Sequence, residues 1–248
     1  MPVFIAFFTL MAITVATARG RDSLQAKSRE DWLLDGMGLF VQGVVIPFLQ
    51  IAVIYQLYVV LFPKYCDCLI WHPVADFLLS FVAVDYLYYW NHRLLHARQL
   101  WPLHWVHHTM TQRHVLGTSR NTLWTSFLIL YLWVHALFIY LLQDPTAYVA
   151  GVSLTSALDL WRHSDIEPTP GSALHRVLSP WLILPQDHAW HHTSSATHKN
   201  YGANFKLWDK IHKTAWECET APESLGIETH LSLIQKLVWP FYWDKVEG

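Results

Sequence analysis

The sequence has little charge for its length. Of its 248 residues only 15% are charged, whereas a soluble domain carries about 25%. The formal net charge is −2 with histidine neutral, so no basic surface favours a nucleic-acid partner. The hydrophobic fraction is 53% and the mean hydropathy is +0.20. This composition predicts a single domain embedded in a membrane. The fourteen tryptophans support that prediction, since tryptophan favours the membrane–water boundary.

Two other scarcities narrow the functional classes. The chain has three cysteines, Cys66, Cys68 and Cys218, and the Cys66-x-Cys68 spacing is too tight for the common C-x-x-C zinc knuckle. We therefore interpret them as incidental. No G-x-G-x-x-G fingerprint is present, so the sequence predicts no dinucleotide-binding fold. Electrons for any redox chemistry would have to come from a partner.

Long apolar stretches predict an all-α fold, an integral-membrane bundle of about four spanning helices. The first apolar segment, residues 2–18, ends in Ala16-Thr17-Ala18 and is followed by a charged connector. That ending resembles a leader cleavage site, but the basic start is missing, so a cleaved leader and a retained segment both remain open. The predicted spans, judged against the roughly 30 Å of hydrocarbon in a bilayer, are 36–62, 69–90, 122–142 and 146–161.

Positive charge gives the predicted orientation. Basic residues collect before the first long span and again after the second, at Arg19, Arg21, Lys27, Arg29, Arg93, Arg98, Arg113 and Arg120. Such residues favour the cytoplasmic side, and because two spans separate the groups, both can lie there. The turn Gln143-Asp144-Pro145 joins the last two spans as a helical hairpin. The hairpin returns the chain to the same face, which predicts a histidine-rich cytoplasmic cap on a multi-pass protein.

Histidine is the residue in excess, with sixteen in the chain. Eight of them form one H-x-x-x-H and two H-x-x-H-H boxes: His92 and His96, then His104, His107 and His108, then His188, His191 and His192. Positions i, i+3 and i+4 share a helix face, so we expect each box to present its imidazoles together. Burying so many polar rings without partners would be costly, which favours metal binding over packing.

Eight imidazoles exceed the four ligands of a tetrahedral zinc ion and suit two metal ions of higher coordination number. Imidazole binds iron, zinc, copper and nickel, so ligand type alone does not name the metal. Zinc peptidases carry a glutamate inside the box, and neither box here contains one; Trp105 and Ala189 follow the first histidines. Hydrolysis is therefore disfavoured, and an all-nitrogen site favours iron and oxygen chemistry. Two other classes remain open, a non-redox metal-binding membrane protein and a bis-histidine haem electron carrier.

The order of these elements resembles the fatty acid hydroxylase/sterol desaturase superfamily of membrane histidine-box di-iron oxygenases. The resemblance rests on the three boxes, on the apolar hairpin before the third, and on the flanking segments Asp85-Tyr86, Asn200-Tyr201-Gly202 and Trp208-Asp209. One departure is the ending, where His212 and Lys213 replace the Phe-Gly of the family's usual W-D-x-x-F-G-T. The chain is divided accordingly into an N-terminal segment and connector (1–35), membrane helices (36–75), a di-iron domain (76–215) and a tail (216–248).

The resemblance implies an enzyme that uses O2 and two iron ions, for which zinc can substitute, to hydroxylate or desaturate a C–H bond of a fatty acyl, sterol or related lipid. It also implies an external electron donor, either cytochrome b5, ferredoxin or a reductase, and an endoplasmic-reticulum or bacterial inner membrane. The box histidines would be joined as ligands by one more, in Arg162-His163-Ser164-Asp165. The implied iron ligands are His92, His96, His104, His107, His108, His163, His188, His191 and His192.

Residues outside the boxes divide into supporting and packing candidates. Asp85 lies about two helical turns before His92, and Asp187 precedes the third box. Each is a candidate to orient a ligand histidine, and a structural carboxylate is the alternative. Trp208-Asp209 is predicted to be structural. The isolated histidines are predicted to pack, although His135 could face the metals or a substrate channel and His198 could support the third box: His114, His135, His175, His198 and His212.

Overall fold

A computed structural model describes residues 2–218 and 220–241, and within these ranges no strand forms. The described chain is helical, as predicted. The helices that position the site are α1 (Pro2–Ala16), α2 (Ala18–Gln25), α3 (Arg29–Leu61), α4 (73–95), α5 (Trp101–Trp105), α6 (Tyr131–Leu141), α7 (Thr146–Arg162), α8 (Ala173–Leu178), α9 (Pro185–His191), α10 (Lys206–Ile211) and α11 (Leu233–Val238).

Helix α3 is long and apolar enough to cross a membrane by itself, and only 11% of its most apolar window is buried inside the protein. It begins at a capping box, in which the Ser28 hydroxyl accepts from the Asp31 N–H and the Asp31 carboxylate accepts from the Ser28 N–H. Pro47 has no N–H to donate, and the turns on both sides widen into π-helix. The helix therefore continues through Pro47, in agreement with the span predicted at 36–62.

The segments on either side of α3 depart from simple spans. Helices α1 and α2 would reach spanning length only if taken together, and they meet at 96°. The span predicted at 69–90 starts late, because the helix begins at Pro73, where the His72 Nδ1 accepts from the Val74 N–H at 3.2 Å. It then continues past the predicted end to Leu95. Of the described residues, only α3 is a clear membrane-crossing helix, so the multi-pass arrangement stays a prediction.

The prediction of one continuous helix over 122–142 is wrong. Residues 122–130 form turns and a short 3-10 segment, and α6 has only 11 residues. The Thr122 hydroxyl donates to the Lys236 carbonyl at 2.8 Å, and the Thr125 hydroxyl donates to the Leu103 carbonyl at 3.0 Å. The Leu123 N–H also donates to the Leu237 carbonyl, at 3.0 Å, instead of to a carbonyl within its own segment. These hydrogen bonds attach residues 122–130 to the histidine-rich cap.

The loops that follow α3 and α6 meet at one end of the bundle. The Asp67 N–H donates to the Tyr140 carbonyl at 3.0 Å, and the Gln143 N–H donates to the Leu69 carbonyl at 3.0 Å. Both α4 and α7 start from this end and run towards the histidine-rich end. The predicted helical hairpin of α6 and α7 is present, with a shorter first arm.

Helices α4 and α7 pack in close contact at Gly151. A side chain there would collide with the Ser80 hydroxyl of α4, so the crossing requires glycine. The two helices reach the cap side by side and carry histidines at their ends. Helix α4 delivers His92 and ends beside His96, and His163 directly follows α7.

A buried ionic group fixes the start of α3 against the cap. Lys27 pairs with Asp35, whose other oxygen accepts from Arg120 Nε at 2.7 Å. Arg120 also pairs with Asp31 at 2.8 Å, and the His114 Nε2 lies 3.1 Å from the Lys27 ammonium. We call these five residues the Asp35 group. It places Lys27 and Arg120, which belong to the two predicted basic groups, at the same end of α3; which side of a membrane this is remains a prediction.

Candidate metal centre

Nine histidines form two adjoining groups. We call the first the five-histidine cluster (His92, His96, His104, His108 and His191) and the second the four-histidine cluster (His107, His163, His188 and His192). In each cluster, one ring nitrogen per residue lies within 4.8 Å of all the others. Every one of these side chains is buried, none more than 6% exposed. The structure thus brings together all the residues that the sequence and its family resemblance single out as ligands.

Each H-x-x-H-H box contributes to both clusters, which corrects the expectation that a box presents three rings to one centre. His104 and His108 belong to the five-histidine cluster, and His107 points to the other. In the second H-x-x-H-H box only the middle histidine, His191, joins the five-histidine cluster, and His188 and His192 join the four-histidine cluster. A helix turns about 100° per residue, so positions i and i+4 lie roughly 40° apart, while i+3 and i+4 lie roughly 100° apart. The two boxes are therefore interlocked, and neither cluster is complete without both.

Backbone carbonyls fix four of the nine rings. In each case the Nδ1–H donates to a carbonyl oxygen: His92 to Tyr201 (2.8 Å), His107 to Arg120 (3.1 Å), His163 to Asp159 (2.8 Å) and His191 to Lys199 (2.6 Å). A carbonyl only accepts, so the proton is on Nδ1 and the Nε2 lone pair is free for a metal. Two of these rings belong to each cluster.

The spacing of the free nitrogens fits metal coordination. Nε2–Nε2 distances are 2.9 Å for His92–His104, 3.1 Å for His92–His191, 3.2 Å for His163–His107, 3.0 Å for His163–His188 and 3.1 Å for His188–His192. Two nitrogens bound about 2.1 Å from one ion lie roughly 3.0–3.4 Å apart. Both ring nitrogens of His96 and of His108 are buried and have no hydrogen-bond partner within the described residues. Both rings belong to the five-histidine cluster, and a cation there would bind one of these nitrogens in each ring.

Burial lowers the pKa of all eight box histidines and so favours their neutral, metal-binding form. Burial lowers the pKa of His92 to about 4 and that of His107 to about 3. The pKa of His108 lies well below its usual value, through burial and then through the neighbouring His192 and His191. Imidazole must be deprotonated to bind a metal. At neutral pH the box histidines therefore offer lone pairs without first releasing protons.

Asp209 supports the five-histidine cluster through the backbone. Its buried carboxylate accepts from the N–H groups of Tyr201 and Gly202, each at 2.8 Å, and from the Thr214 hydroxyl at 2.7 Å. The Tyr201 carbonyl is the acceptor for His92. The predicted structural role of Trp208-Asp209 thus includes a positioning role, in which Asp209 sets where His92 points.

We expect Asp209→Asn to lower the affinity for the metal in the five-histidine cluster by about 10- to 100-fold, the usual effect of losing a group that orients a ligand. An asparagine nitrogen cannot accept from a backbone N–H, so the loop carrying Tyr201 loses one of its fixed points. Metal content per chain, measured at limiting iron, tests this. Asp144→Asn, which alters a carboxylate beside Thr146 at the opposite end of the bundle, serves as the control, and equal metal content in both variants would refute the role of Asp209.

The two other carboxylates do not orient histidines. Asp85 accepts from the Asn204 N–H at 2.8 Å and from the Trp208 indole N–H at 2.6 Å. Asp187 pairs with the Lys206 ammonium at 2.8 Å and caps the start of α9. In both cases the structural alternative is observed. These contacts hold the loop between α9 and α10 against α4 and α9.

The isolated histidines lie outside both clusters, as predicted. His135 lies 2.9 Å from the Tyr148 hydroxyl through its Nδ1 and does not reach the metal centre. His212 stacks on Tyr89, and its Nε2 lies 3.2 Å from the Tyr86 hydroxyl. The remaining three are placed as follows: His114 in the Asp35 group, His175 on α8, and His198 with its ring 6.0 Å from that of His96.

Sequence reasoning missed a charged pair beside the clusters. Arg162 is buried, donates to the Ala203 carbonyl, and pairs with Asp159 at 2.6 Å. Asp159 lies 3.4 Å from the His163 Nδ1, yet 40% of its side-chain surface is accessible, because it faces a cavity. The sequence feature that could have revealed this pair is Asp159, an aspartate inside an apolar run, one helical turn before Arg162-His163.

An apolar cavity of about 330 Å³ leads to the centre. Its outer wall includes Phe4, Phe7 and Phe8 of α1. It adjoins an inner chamber of about 70 Å³ whose walls include His92 and His104 of one cluster and members of the other. Both spaces share the wall residues Gln42, Tyr88, Thr118, Ser119, Tyr131, Asp159 and Arg162. The apolar cavity therefore meets the inner chamber at a wall of polar and charged side chains, with the clusters beyond it.

Comparison with known proteins gives one family and several relatives. The fatty acid hydroxylase family model matches residues 77–214. Alkylglycerol monooxygenase of Danio rerio is 26% identical over 193 residues, which are 72% of this chain and 40% of that protein. The Homo sapiens protein of the same name is 25% identical over 188 residues, which are 70% of this chain and 40% of that protein. Ornithine lipid hydroxylase OlsE of Rhizobium tropici is 27% identical over 146 residues, 57% and 42%. The chain thus spans about two fifths of the length of these relatives. No solved structure matches.

Proposed function

The chain belongs to the fatty acid hydroxylase family, and from this premise we propose that it is a membrane-bound, O2-dependent di-iron oxygenase that hydroxylates a C–H bond of a lipid. The observation that carries the proposal is the convergence of an apolar cavity on two adjoining histidine clusters. A lipid bound in the cavity would reach the inner chamber, where both clusters can act on it.

Each cluster would hold one iron through Nε2 or unpartnered ring nitrogens. Two bound irons would supply the O2 activation that hydroxylation of an unactivated C–H bond requires. The protein's part is to keep the box histidines neutral and oriented, to hold the ligand sets side by side, and to take up the alkyl chain between the apolar walls of the outer cavity. Overall, R–H and O2 give R–OH and water, with two protons and two electrons supplied from outside.

The apolar cavity is a better lipid site than the larger cavity of about 710 Å³ near α9. That second cavity is lined by charged groups, among them Glu167, Asp187, Lys206 and Glu217. An alkyl chain gains free energy from leaving water only where the walls are apolar, as the phenylalanines of α1 are. Those side chains are also partly exposed on the outer surface, Phe4 by 57% and Phe8 by 66%. A lipid would therefore enter from the membrane past α1.

The names of the relatives favour hydroxylation over desaturation. They are called a monooxygenase and a hydroxylase, of alkylglycerol and of ornithine lipid respectively. Both substrates are amphipathic lipids, and we propose the same class here. The electron donor would be a separate protein of the cytochrome b5, ferredoxin or reductase type, and the centre would face the cytoplasm.

We expect protein from iron-57-labelled cells to carry about two irons per chain as a coupled high-spin pair, measured by metal analysis and Mössbauer spectroscopy. With a reductase system, 18O2 and alkylglycerol or ornithine lipid, mass spectrometry should find one 18O in the product. Iron without any labelled product from either lipid would refute the proposed substrate class, and zinc that persists after anaerobic iron reconstitution would refute the oxygenase.

That last outcome would favour a non-redox metal-binding protein, which the histidine geometry alone also allows. A haem carrier is disfavoured on geometry. Its two axial histidines must lie on opposite faces of a porphyrin, whereas the closest Nε2 atoms here are 2.9–3.2 Å apart. A porphyrin does not fit between two nitrogens at these distances.

A further inference from the structure

Three residues that line the inner chamber, two of them at its junction with the apolar cavity, each carry a buried polar atom with no hydrogen-bond partner within the described residues. These atoms are the Tyr131 hydroxyl, Arg162 Nε and Asn121 Oδ1. All three residues line the inner chamber together with the cluster histidines, and Tyr131 and Arg162 also line the apolar cavity. Most buried polar atoms in proteins are paired. Three unpaired ones around a single space indicate a partner that the protein itself does not supply.

The neighbours of these groups prevent them from turning away. The Tyr131 ring is stacked between Tyr88, at 4.7 Å between ring centroids, and His135, at 4.9 Å. Arg162 is held at both terminal nitrogens, by Asp159 and by the Ala203 carbonyl. Its Nε is therefore the one guanidinium nitrogen without a partner within the described residues. A group bound here would meet donors that are already oriented, which reduces the entropy lost on binding.

The charges at the junction select the chemistry of that group. The positive charge of Arg162 is matched by Asp159, which exposes 40% of its side chain to the cavity. A phosphate would meet the Asp159 carboxylate, and an ammonium group would meet Arg162. A neutral oxygen can instead accept from Tyr131 and Arg162, and if it is a hydroxyl it can also donate to Asn121.

We propose that this junction is a binding subsite for a neutral oxygen-bearing group of the lipid, a hydroxyl or ether oxygen, close to the carbon that is oxidised. The subsite rests on the proposed function. The inner chamber is small, about 70 Å³ against about 330 Å³ for the apolar cavity, so a group held at their junction leaves only neighbouring carbons beside the clusters. The alkyl chain then lies outward, along Phe4, Phe7 and Phe8. The lipid reacts near its polar end and not at its chain terminus.

Binding of three sixteen-carbon probes tests the subsite without turnover. Full-length, iron-loaded protein in detergent is titrated anaerobically, without reductant, with 1-hexadecanol, hexadecane and hexadecyl phosphate, and binding is followed by tryptophan fluorescence. We expect hexadecanol to bind about tenfold more tightly than either of the others, since one or two hydrogen bonds contribute that much. Equal binding of hexadecane and hexadecanol, or tighter binding of the phosphate, would overturn the subsite.

Variants assign the preference to named atoms. Tyr131→Phe removes only the hydroxyl and should reduce the preference for hexadecanol over hexadecane about 5- to 10-fold; Asn121→Ala provides a second variant if the first does not fold. Tyr58→Phe removes a hydroxyl that contacts the Trp133 carbonyl away from the cavity and should leave the preference unchanged. An unchanged preference in both Tyr131→Phe and Asn121→Ala would refute the assignment.

The two proposals fail in different ways. Wild-type protein that prefers hexadecanol but yields no 18O-labelled product from any lipid would retain the subsite and lose the oxygenase. Labelled product together with equal probe binding would retain the oxygenase and lose the subsite. If products form, mass-spectrometric fragmentation locates the new oxygen, and its position within a few bonds of the polar group supports the subsite, whereas a terminal position contradicts it.

Discussion

Under the proposed function, replacing either His107 or His191 with alanine is expected to reduce lipid hydroxylation on the order of a thousandfold, because each change removes a proposed ligand from a different cluster and the proposed oxygen activation uses both metals. His107 belongs to the first H-x-x-H-H box and the four-histidine cluster; His191 belongs to the second H-x-x-H-H box and the five-histidine cluster. Each ring is held by a backbone carbonyl, from Arg120 and Lys199 respectively. No neighbouring side chain can replace a nitrogen fixed in this way.

The measurements are 18O incorporation and iron content in purified, membrane-inserted protein. Each variant should retain at most about one iron, and the two residual sites should differ in their Mössbauer spectra because different ligand sets remain. His230→Ala, at an exposed histidine outside both clusters, should behave as wild type. Near-normal turnover in both His107→Ala and His191→Ala would contradict the proposed centre, and identical residual spectra would contradict the division of each box between two metals.

Eight of the nine clustered histidines could be predicted because their spacing is local, whereas the prediction of His163 rests on the family resemblance alone. The i to i+4 pairs place two rings on one helical face wherever the helix lies, and for both H-x-x-H-H boxes the structure keeps that pair in one cluster. Which cluster the i+3 histidine of each box joins could not be predicted. It depends on which way each helix is rotated relative to the other box, and His107 and His191 therefore exchange clusters for reasons of tertiary packing.

The errors in the predicted spans have a related cause. Hydropathy detects the apolar run at 122–142, but it does not register that Thr122 and Thr125 bond to carbonyls in distant segments. The Asp159–Arg162 pair is hidden for the same reason, because its significance depends on the cavity that α1, α3 and α4 build around it. The periodicity of a sequence shows which side chains share one face of a helix. It does not show which neighbouring segment packs against that face.

The Asp35 group is the place where a charge buried in the fold is expected to have the largest effect on stability. Asp35 is 1% exposed and is the shared partner of Lys27 and Arg120. Asp35→Asn keeps the shape of the side chain but leaves two buried cations without their main counter-charge. Removing one partner of a buried ion pair costs about 3–5 kcal/mol, so we expect the free energy of unfolding to fall by about that amount.

The loss should also reach the metal centre, because the backbone carbonyl of Arg120 accepts from the His107 Nδ1–H. Asp35→Asn should therefore lower iron retention in the four-histidine cluster, in addition to lowering the thermal midpoint. Asp31→Asn is the matched control, since Asp31 pairs with the same arginine but is 25% exposed, and partly exposed pairs contribute about 0–1 kcal/mol. Thermal unfolding in detergent and iron content after dialysis measure both effects. Equal thermal midpoints for the two variants would show that the burial of Asp35 does not govern the strength of its ion pairs. A lower thermal midpoint of Asp35→Asn with unchanged iron content would show that the Arg120 carbonyl holds His107 independently of the charge partner of Arg120.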